Sequence, residues 1–244
     1  MLAIITGASS GLGREFARQL DAMGYDTVLC ARREDRLNAL KAEMKNNCHI
    51  FCADLSKPEN CTALFETFPN ADFLVNNAGL GKFGGIGDTC LDDDLTVLDV
   101  NVSALFILTK LYFRAFVFQG HGRILNVASA AAFMPGPYFA LYYASKAFVL
   151  RLSQSVAREA KGTGVSVSAF CPGSVDTEFN TVAGTSSSSK PISAEQAVQY
   201  ALKKAEKGKT LIVPTFKIRA ARILAKILPE NILAEFSYII QRRR

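Results

Sequence analysis

The chain has 244 residues, 49% of them hydrophobic and 20% charged, enough for one large α/β domain with a sizeable core and little beyond it. That composition excludes a disordered chain. Net charge is +6 with an isoelectric point near 9.0. This would suit an anionic ligand, but the charge is spread along the chain until the last residues. No arginine- and aromatic-rich stripe marks a nucleic-acid surface.

Met1 leads directly into "LAIITG", which reads as a strand and leaves no room for a signal peptide. No segment reaches the roughly 18 uninterrupted apolar residues of a membrane span. The expectation is a cytoplasmic chain whose six cysteines (Cys30, Cys48, Cys52, Cys61, Cys90, Cys171) stay reduced. In "CHIFC", Cys48 and Cys52 read as buried thiols of a strand, because no second ligand pair accompanies them.

Short apolar runs alternate with helical patterns from the first residue. "LAIIT", "DTVLCA", "HIFCA", "DFLVNN", "GRILNVAS", "VSVSAFCP" and "TLIVP" read as seven strands. Gly11–Met23, Arg33–Lys45 and Tyr142–Ala160 read as helices between them. Alternation of this kind predicts a Rossmann-type, doubly wound parallel α/β sheet of about seven strands with helices on both faces, one domain over residues 1–244. Nearly continuous hydrophobicity in the strands fits burial on both sides. A ligand then sits beyond the carboxyl ends of the strands.

"TGASSGLG", Thr6 to Gly13, lies between the first strand and the first helix. Its glycines allow a tight turn (Gly7), close approach of a ligand (Gly11) and close packing of helix on strand (Gly13). Ser9, Ser10 and Leu12 belong to the same turn. The helix start offers free amides and a favourable dipole to a phosphate. Where an NAD binder usually carries an acid, the second strand ends in Ala31, Arg32 and Arg33. Arg32 is therefore the expected partner of a 2′-phosphate, and NADP(H) the expected cofactor. Arg33 and Arg36 also fit the first turn of a solvated helix.

In "LYYASKAF", Tyr142 and Lys146 share a helical face because residues four apart do so; Tyr143 points elsewhere and is expected to pack. With "NNAG" (Asn76 to Gly79), "DVNVS" around Asn101, "NVAS" ending at Ser129 and "PGSVDT" (Pro172 to Thr177), the chain resembles a compact, classical short-chain dehydrogenase/reductase. The resemblance runs from Thr6 to Thr177. It implies catalytic roles for Asn101, Ser129, Tyr142 and Lys146. Tyr142 would protonate a carbonyl oxygen, Ser129 would orient it, and Lys146 would bind the nicotinamide ribose and lower the phenol's pKa. Asn101 would hold a water linking Lys146 to solvent. The resemblance further implies cofactor contacts from Asp54, Leu55, Asn77, Ala78 and Gly79, and from Pro172, Gly173, Val175 and Thr177. Bringing a phenol from near ~10 to ~7 takes about 4 kcal/mol of differential interaction, much of which an ammonium in a partly dry site could supply. A metal mechanism lacks ligands, since His49 and His121 have no suitably spaced partners, and no G-x-S-x-G elbow is present.

The expected activity is reversible NADPH-dependent reduction of a ketone or aldehyde, with an apolar substrate favoured. The alternative is a non-catalytic dinucleotide-binding scaffold of the same fold. Ser103–Gln119 is apolar almost all round and predicts burial on two sides, one against the sheet and one in a homodimer or homotetramer. Residues 178–192 should cover the substrate, with Thr185–Lys190 as a mobile loop. The tail, residues 216–244, reads as a basic amphipathic helix broken at Pro229. A lid or oligomer contact ranks ahead of a membrane-surface contact there, because such helices usually bury their apolar face in protein.

Overall fold

The computed structural model describes residues 1–185 and 191–242. The first half of the chain runs β1 (Leu2–Thr6), α1 (Gly11–Ala22), β2 (Asp26–Ala31), α2 (Glu34–Lys41), β3 (Cys48–Cys52), α3 (Pro58–Thr67), β4 (Phe73–Asn76), α4 (Leu91–Leu98) and α5 (Leu105–Gln119). A π-helical turn, Asp99–Ala104, joins the last two. The second half runs β5 (Gly122–Val127), α6 (Ala140–Glu159), β6 (Val165–Phe170), α7 (Phe179–Val182), α8 (Ala194–Ala205), β7 (Leu211–Ile212), α9 (Phe216–Ile227) and α10 (Glu230–Gln241).

The seven strands are parallel and ordered β3-β2-β1-β4-β5-β6-β7, with Ile4 of β1 opposite Val28 on one side and Leu74 on the other. The chain therefore winds outward in both directions from the β1–β4 junction, and this Rossmann-type reversal opens a crevice at the carboxyl edge. One face of the sheet is covered by Phe16, Ala17 and Leu20 of α1 with Ala197, Val198 and Ala201 of α8. Leu64 of α3 and Leu108, Tyr112 and Phe116 of α5 cover the other.

Three elements differ from the sequence reading for physical reasons. The helix expected to reach Lys45 stops at Lys41, because the buried Asp21 carboxylate takes the Lys45 and Asn46 amides at 3.0 and 2.9 Å. Such bonds turn the chain toward β3. β3 is an edge strand, so it is not covered throughout, and Cys52 is exposed, as is Cys90; the other four cysteines are buried. The run Leu91–Gln119 is long and apolar enough, by length and composition, to cross a membrane. Its packing explains the composition: Leu108, Tyr112 and Phe116 lie in the core. Its other face leaves Phe106, Val117 and above all Phe118 exposed.

Within the expected substrate cover, residues 186–190 lie outside the described residues. The flanking chain is pinned where the Asp176 amide donates to the Ile192 carbonyl at 3.0 Å.

Candidate active site

A cavity of about 570 Å³ opens at the carboxyl edge of the sheet. Its first wall is the glycine turn. Gly7 has φ +67, and a Cβ there would meet the Ala78 Cα at 2.9 Å. At Gly13 a Cβ would lie 2.1 Å from the Gly7 carbonyl oxygen, so only glycine lets α1 start this close to β1. Asn77 braces the turn from the end of β4, donating from Nδ2 to the Thr6 carbonyl at 2.9 Å, while Thr6 Oγ1 accepts from the Asn77 and Ala78 amides. Ser10 precedes α1 without capping it by its side chain, which leaves the amides of that first turn to an anion. Thr177 packs on Gly11 from the opposite side of the cleft.

Arg32 and Arg33 both line this end of the cavity. Arg33 is not merely a solvated helix residue: it donates to Ser9 Oγ from Nη2 at 3.0 Å and from Nε at 3.3 Å, and its Nη1 lies 3.5 Å from Glu178. Arg36 is bound to Glu178 as well. Asp54 and Leu55 complete the wall beyond β3. Burial pushes the Asp54 carboxyl up, but hydrogen bonds from Ser56 and the charges of Arg32 and Lys57 outweigh it and hold the group below its ordinary value.

The other end is aromatic. Tyr142, in the first turn of α6, stacks on Phe139 at 4.6 Å between ring centroids and tilts against Phe179 at 5.2 Å. Ser129 follows β5 and begins a short 3-10 turn, Ala130–Phe133, in which its Oγ accepts from the Ala131 amide at 3.1 Å. Lys146 lies one turn beyond Tyr142, its Nζ 5.8 Å from the phenol ring centre. The ammonium donates to the Val127 carbonyl at 2.9 Å.

This geometry corrects the expected electrostatics. Burial is the dominant influence on the phenol and pushes Tyr142 up to about 12, although the hydrogen bond with Ser129 pulls the other way. Burial likewise brings Lys146 down to about 8. An ammonium engaged with a backbone carbonyl does not offset the desolvation of the phenol, so the protein alone does not lower Tyr142.

Asn101 sits in the π-helical turn. Its amide clasps Leu80, accepting from the backbone N–H and donating to the carbonyl, both at 2.8 Å, and it donates to Ser145 Oγ at 3.0 Å. The side chain thus ties the loop after β4 to α6. Beneath the site, Asn76 donates to Asn126 Oδ1 at 2.9 Å and to Thr109 Oγ1 at 3.1 Å, and Asn126 donates to Ser153 Oγ at 3.0 Å. This buried network fixes β4, β5, α5 and α6 relative to one another.

Pro172, Gly173, Val175 and Thr177 line the cavity after β6, and Gly79 lies where a Cβ would be 3.1 Å from Lys146 Nζ. Every residue expected at the cofactor site except Gly13, which supports the turn from behind, lines this one cavity. Phe179 and Val182 come from the expected substrate cover and Ile218 from the tail, although none was singled out as a site residue. Sequence reasoning did not find Phe139, nor Tyr143, which lines the pocket as well as packing beside Tyr142. The tail packs against this end. Ile218 of α9 rests on Gly173, Tyr238 of α10 stacks on Tyr138 at 5.6 Å, and Gln241 Nε2 donates to the Tyr143 hydroxyl at 2.6 Å.

The shape and chemistry of the cleft fit a dinucleotide: a glycine turn and arginines at one end, an aromatic chamber with a buried phenol at the other. Comparison with known proteins agrees. The family model for short chain dehydrogenases matches residues 1–187, and the chain belongs to that family. It is 34% identical over 181 residues to YvaG, an uncharacterised oxidoreductase of Bacillus subtilis (strain 168), covering 72% of this chain and 69% of the relative. A short-chain dehydrogenase from Sphingobium yanoikuyae, solved in complex with NADPH, superposes with a TM-score of 0.84 at 30% identity, covering 90% of each chain. A 7β-hydroxysteroid dehydrogenase superposes with a TM-score of 0.86 at 26% identity, covering 97% of this chain and 96% of the other. The protein is therefore an oxidoreductase of the nicotinamide-dependent kind, and its sheet is the family's Rossmann-type sheet.

Proposed function

We propose that the protein reduces an apolar ketone or aldehyde with NADPH, reversibly, with Tyr142 as the proton donor. The observation that carries this reading is the convergence of Ser129, Tyr142 and Lys146 on one end of the cleft whose other end holds the glycine turn and two arginines. NADPH, when bound, supplies the hydride that the carbonyl carbon accepts. Arg32 and Arg33 hold the 2′-phosphate, the first-turn amides of α1 hold the pyrophosphate, and Lys146 hydrogen-bonds the nicotinamide ribose.

Ser129 Oγ orients the substrate oxygen, and the Tyr142 hydroxyl transfers its proton to that oxygen as charge develops there. A phenol held near 12 by burial keeps its proton at neutral pH, so the free protein stands ready for reduction. Alcohol oxidation needs additional positive charge near the ring before the phenol can serve as a base. Phe139, Tyr143, Phe179 and Ile218 give the chamber an apolar wall, which favours a hydrophobic carbonyl compound. The likeness to a hydroxysteroid dehydrogenase supports the same class. The exposed apolar side chains of α5, Phe106, Val117 and Phe118, support a homodimer or homotetramer.

The test is to follow oxidation of NADPH and of NADH with a panel of steroid, aromatic, aliphatic and 3-ketoacyl carbonyl compounds. Turnover favouring NADPH is expected. A protein that binds NADPH tightly but turns over no member of the panel would point to the scaffold reading instead.

A further inference from the structure

The segment from Phe216 to the C-terminus contains seven lysines and arginines against two glutamates, and so carries a net +5 of the chain's +6. Its first helix, α9, buries no side chain fully. Phe216, Ile223 and Ile227 are 80%, 59% and 74% exposed, and Leu224 lies beside them at 54%. These positions recur at helical spacing and form a single apolar stripe. By the same spacing Lys217 and Lys226, both exposed, fall on its two flanks.

The orientation of α9 is set by its opposite side. Arg219 Nε donates to the Val213 carbonyl at 2.9 Å, Arg222 lies over the Phe133 ring, and Ile218 rests on Gly173. The stripe therefore faces outward because its own helix is pinned from behind. The next helix repeats the pattern. α10 turns Leu233, Ser237 and Gln241 inward and leaves Ile232, Phe236 and Ile239 about half exposed on its other face. Both helices are held on their inner sides largely by polar groups and leave their apolar sides uncovered among the described residues.

The charge selects that partner. Arg219 and Arg222 are engaged behind α9, so the positive charge beside the stripe is that of Lys217 and Lys226. A second copy meeting this face would set these lysines against their own counterparts, whereas an anionic lipid surface neutralises them. An apolar stripe flanked by lysines also matches the arrangement of helices that lie in the plane of a bilayer interface. We propose that α9 and α10 dock the protein peripherally on an anionic lipid surface, with Phe216, Ile227 and Phe236 entering the boundary between headgroups and acyl chains. The sequence ranking of lid over membrane contact thereby divides: the inner face of α10 is the lid, and the outer faces are the membrane contact. Ile218 belongs both to α9 and to the pocket wall, and Val182 at the pocket is 65% exposed. Docking would then bring a lipid-soluble carbonyl compound to the cleft, a consequence that rests on the reductase reading although the docking itself does not.

The experiment is co-sedimentation of the full chain, without cofactor or substrate, with phosphatidylcholine vesicles and with vesicles part-substituted by phosphatidylserine. The expected result is at least about tenfold stronger association with the anionic vesicles, weakening as salt is raised. The double variant Ile227→Glu, Phe236→Glu should stay in solution while unfolding at the native temperature and binding NADPH as the native chain does. Failure of the native chain to associate with anionic vesicles would overturn the proposal. So would unchanged association of the double variant. A native dimer that binds no vesicles, and that the double variant dissolves, would assign the face to a second copy and overturn it equally.

Discussion

Arg36 Nη1 donates to both carboxylate oxygens of Glu178 at 2.9 Å, across 142 positions of sequence. The pair ties the start of α2, where the cofactor's 2′-phosphate would lie, to the first residue of the segment expected to cover the substrate. Arg33 shares the same carboxylate at 3.5 Å while bonded to Ser9 on the glycine turn. A bound 2′-phosphate must therefore compete with Glu178 for Arg33. Glu178→Gln should tighten NADPH relative to NADH by about two- to fivefold, since exposed pairs of this kind are individually weak. Arg33→Ala or Arg32→Ala should weaken NADPH by about tenfold or more and leave NADH nearly unchanged. Nicotinamide fluorescence titration measures both, and equal weakening of the two cofactors would remove the 2′-phosphate assignment.

Tyr142 carries the only proton in the proposed reaction that comes directly from a side chain. Tyr142→Phe keeps the ring that stacks on Phe139 and removes only the hydroxyl. It should lower kcat by at least about a hundredfold, the usual contribution of a positioned acid, with the Kd for NADPH within about twofold of native. Ser129→Ala should lower kcat too, but it also removes the acceptor for the Ala131 amide, so its effect on stability is the larger of the two. Full activity in Tyr142→Phe would end the mechanism.

The buried ammonium gives a pH test that needs no substrate. Lys146 titrates near 8 in the folded protein, depressed by burial from an ordinary value of 10.5. Between those values the unfolded chain binds more protons than the folded one, so this group makes stability rise with pH there. Below pH 8 both states are protonated and the full destabilisation is present, on the order of 3 kcal/mol. Lys146→Met removes the charge, and with it the bond to the Val127 carbonyl. The lost bond is a roughly constant offset, whereas the charge effect depends on pH. The unfolding temperature of the variant minus that of the native protein should be more positive at pH 7 than at pH 9.5. A difference independent of pH would place Lys146 in a wetter site than its surroundings indicate.

The succession of strands and helices along the chain and the position of the glycine turn could be read from the sequence because both rest on local patterns: apolar run, turn, amphipathic helix. What escaped depends on contacts between distant segments. Tyr143 was set aside because it does not share a helical face with Lys146, yet the pocket wraps around the start of α6 and takes in both tyrosines, with Phe179 and Ile218 arriving from elsewhere. The electrostatic reading had the right neighbours but the wrong balance. Proximity of Tyr142 and Lys146 follows from spacing, whereas burial of both and capture of the ammonium by Val127 do not. In the tail, amphipathic spacing identified the helix, but which side would be covered depended on where Arg219 and Arg222 found partners.

Gln241 and Tyr143 offer a test of the lid as a structural part of the pocket. Gln241 is buried, its Nε2 donates to the Tyr143 hydroxyl at 2.6 Å, and its Oε1 has no hydrogen-bond partner among the described residues. Tyr143→Phe removes that acceptor and leaves the buried amide worse satisfied, which should cost about 1–3 kcal/mol in urea unfolding. Gln241→Leu removes the amide together with its orphaned oxygen and should cost less than that. Combining the two changes should restore much of the loss from Tyr143→Phe, because the penalty belongs to the unpaired amide and not to the missing hydroxyl. Strict additivity would mean that the two side chains do not interact in solution and that α10 is not seated on the pocket. The same variants separate the lid from the chemistry. Loosening the Tyr143 wall should raise KM for a bulky ketone several-fold more than for a small one, by about the energy of a hydrogen bond, and leave the kcat that Tyr142 supports close to native.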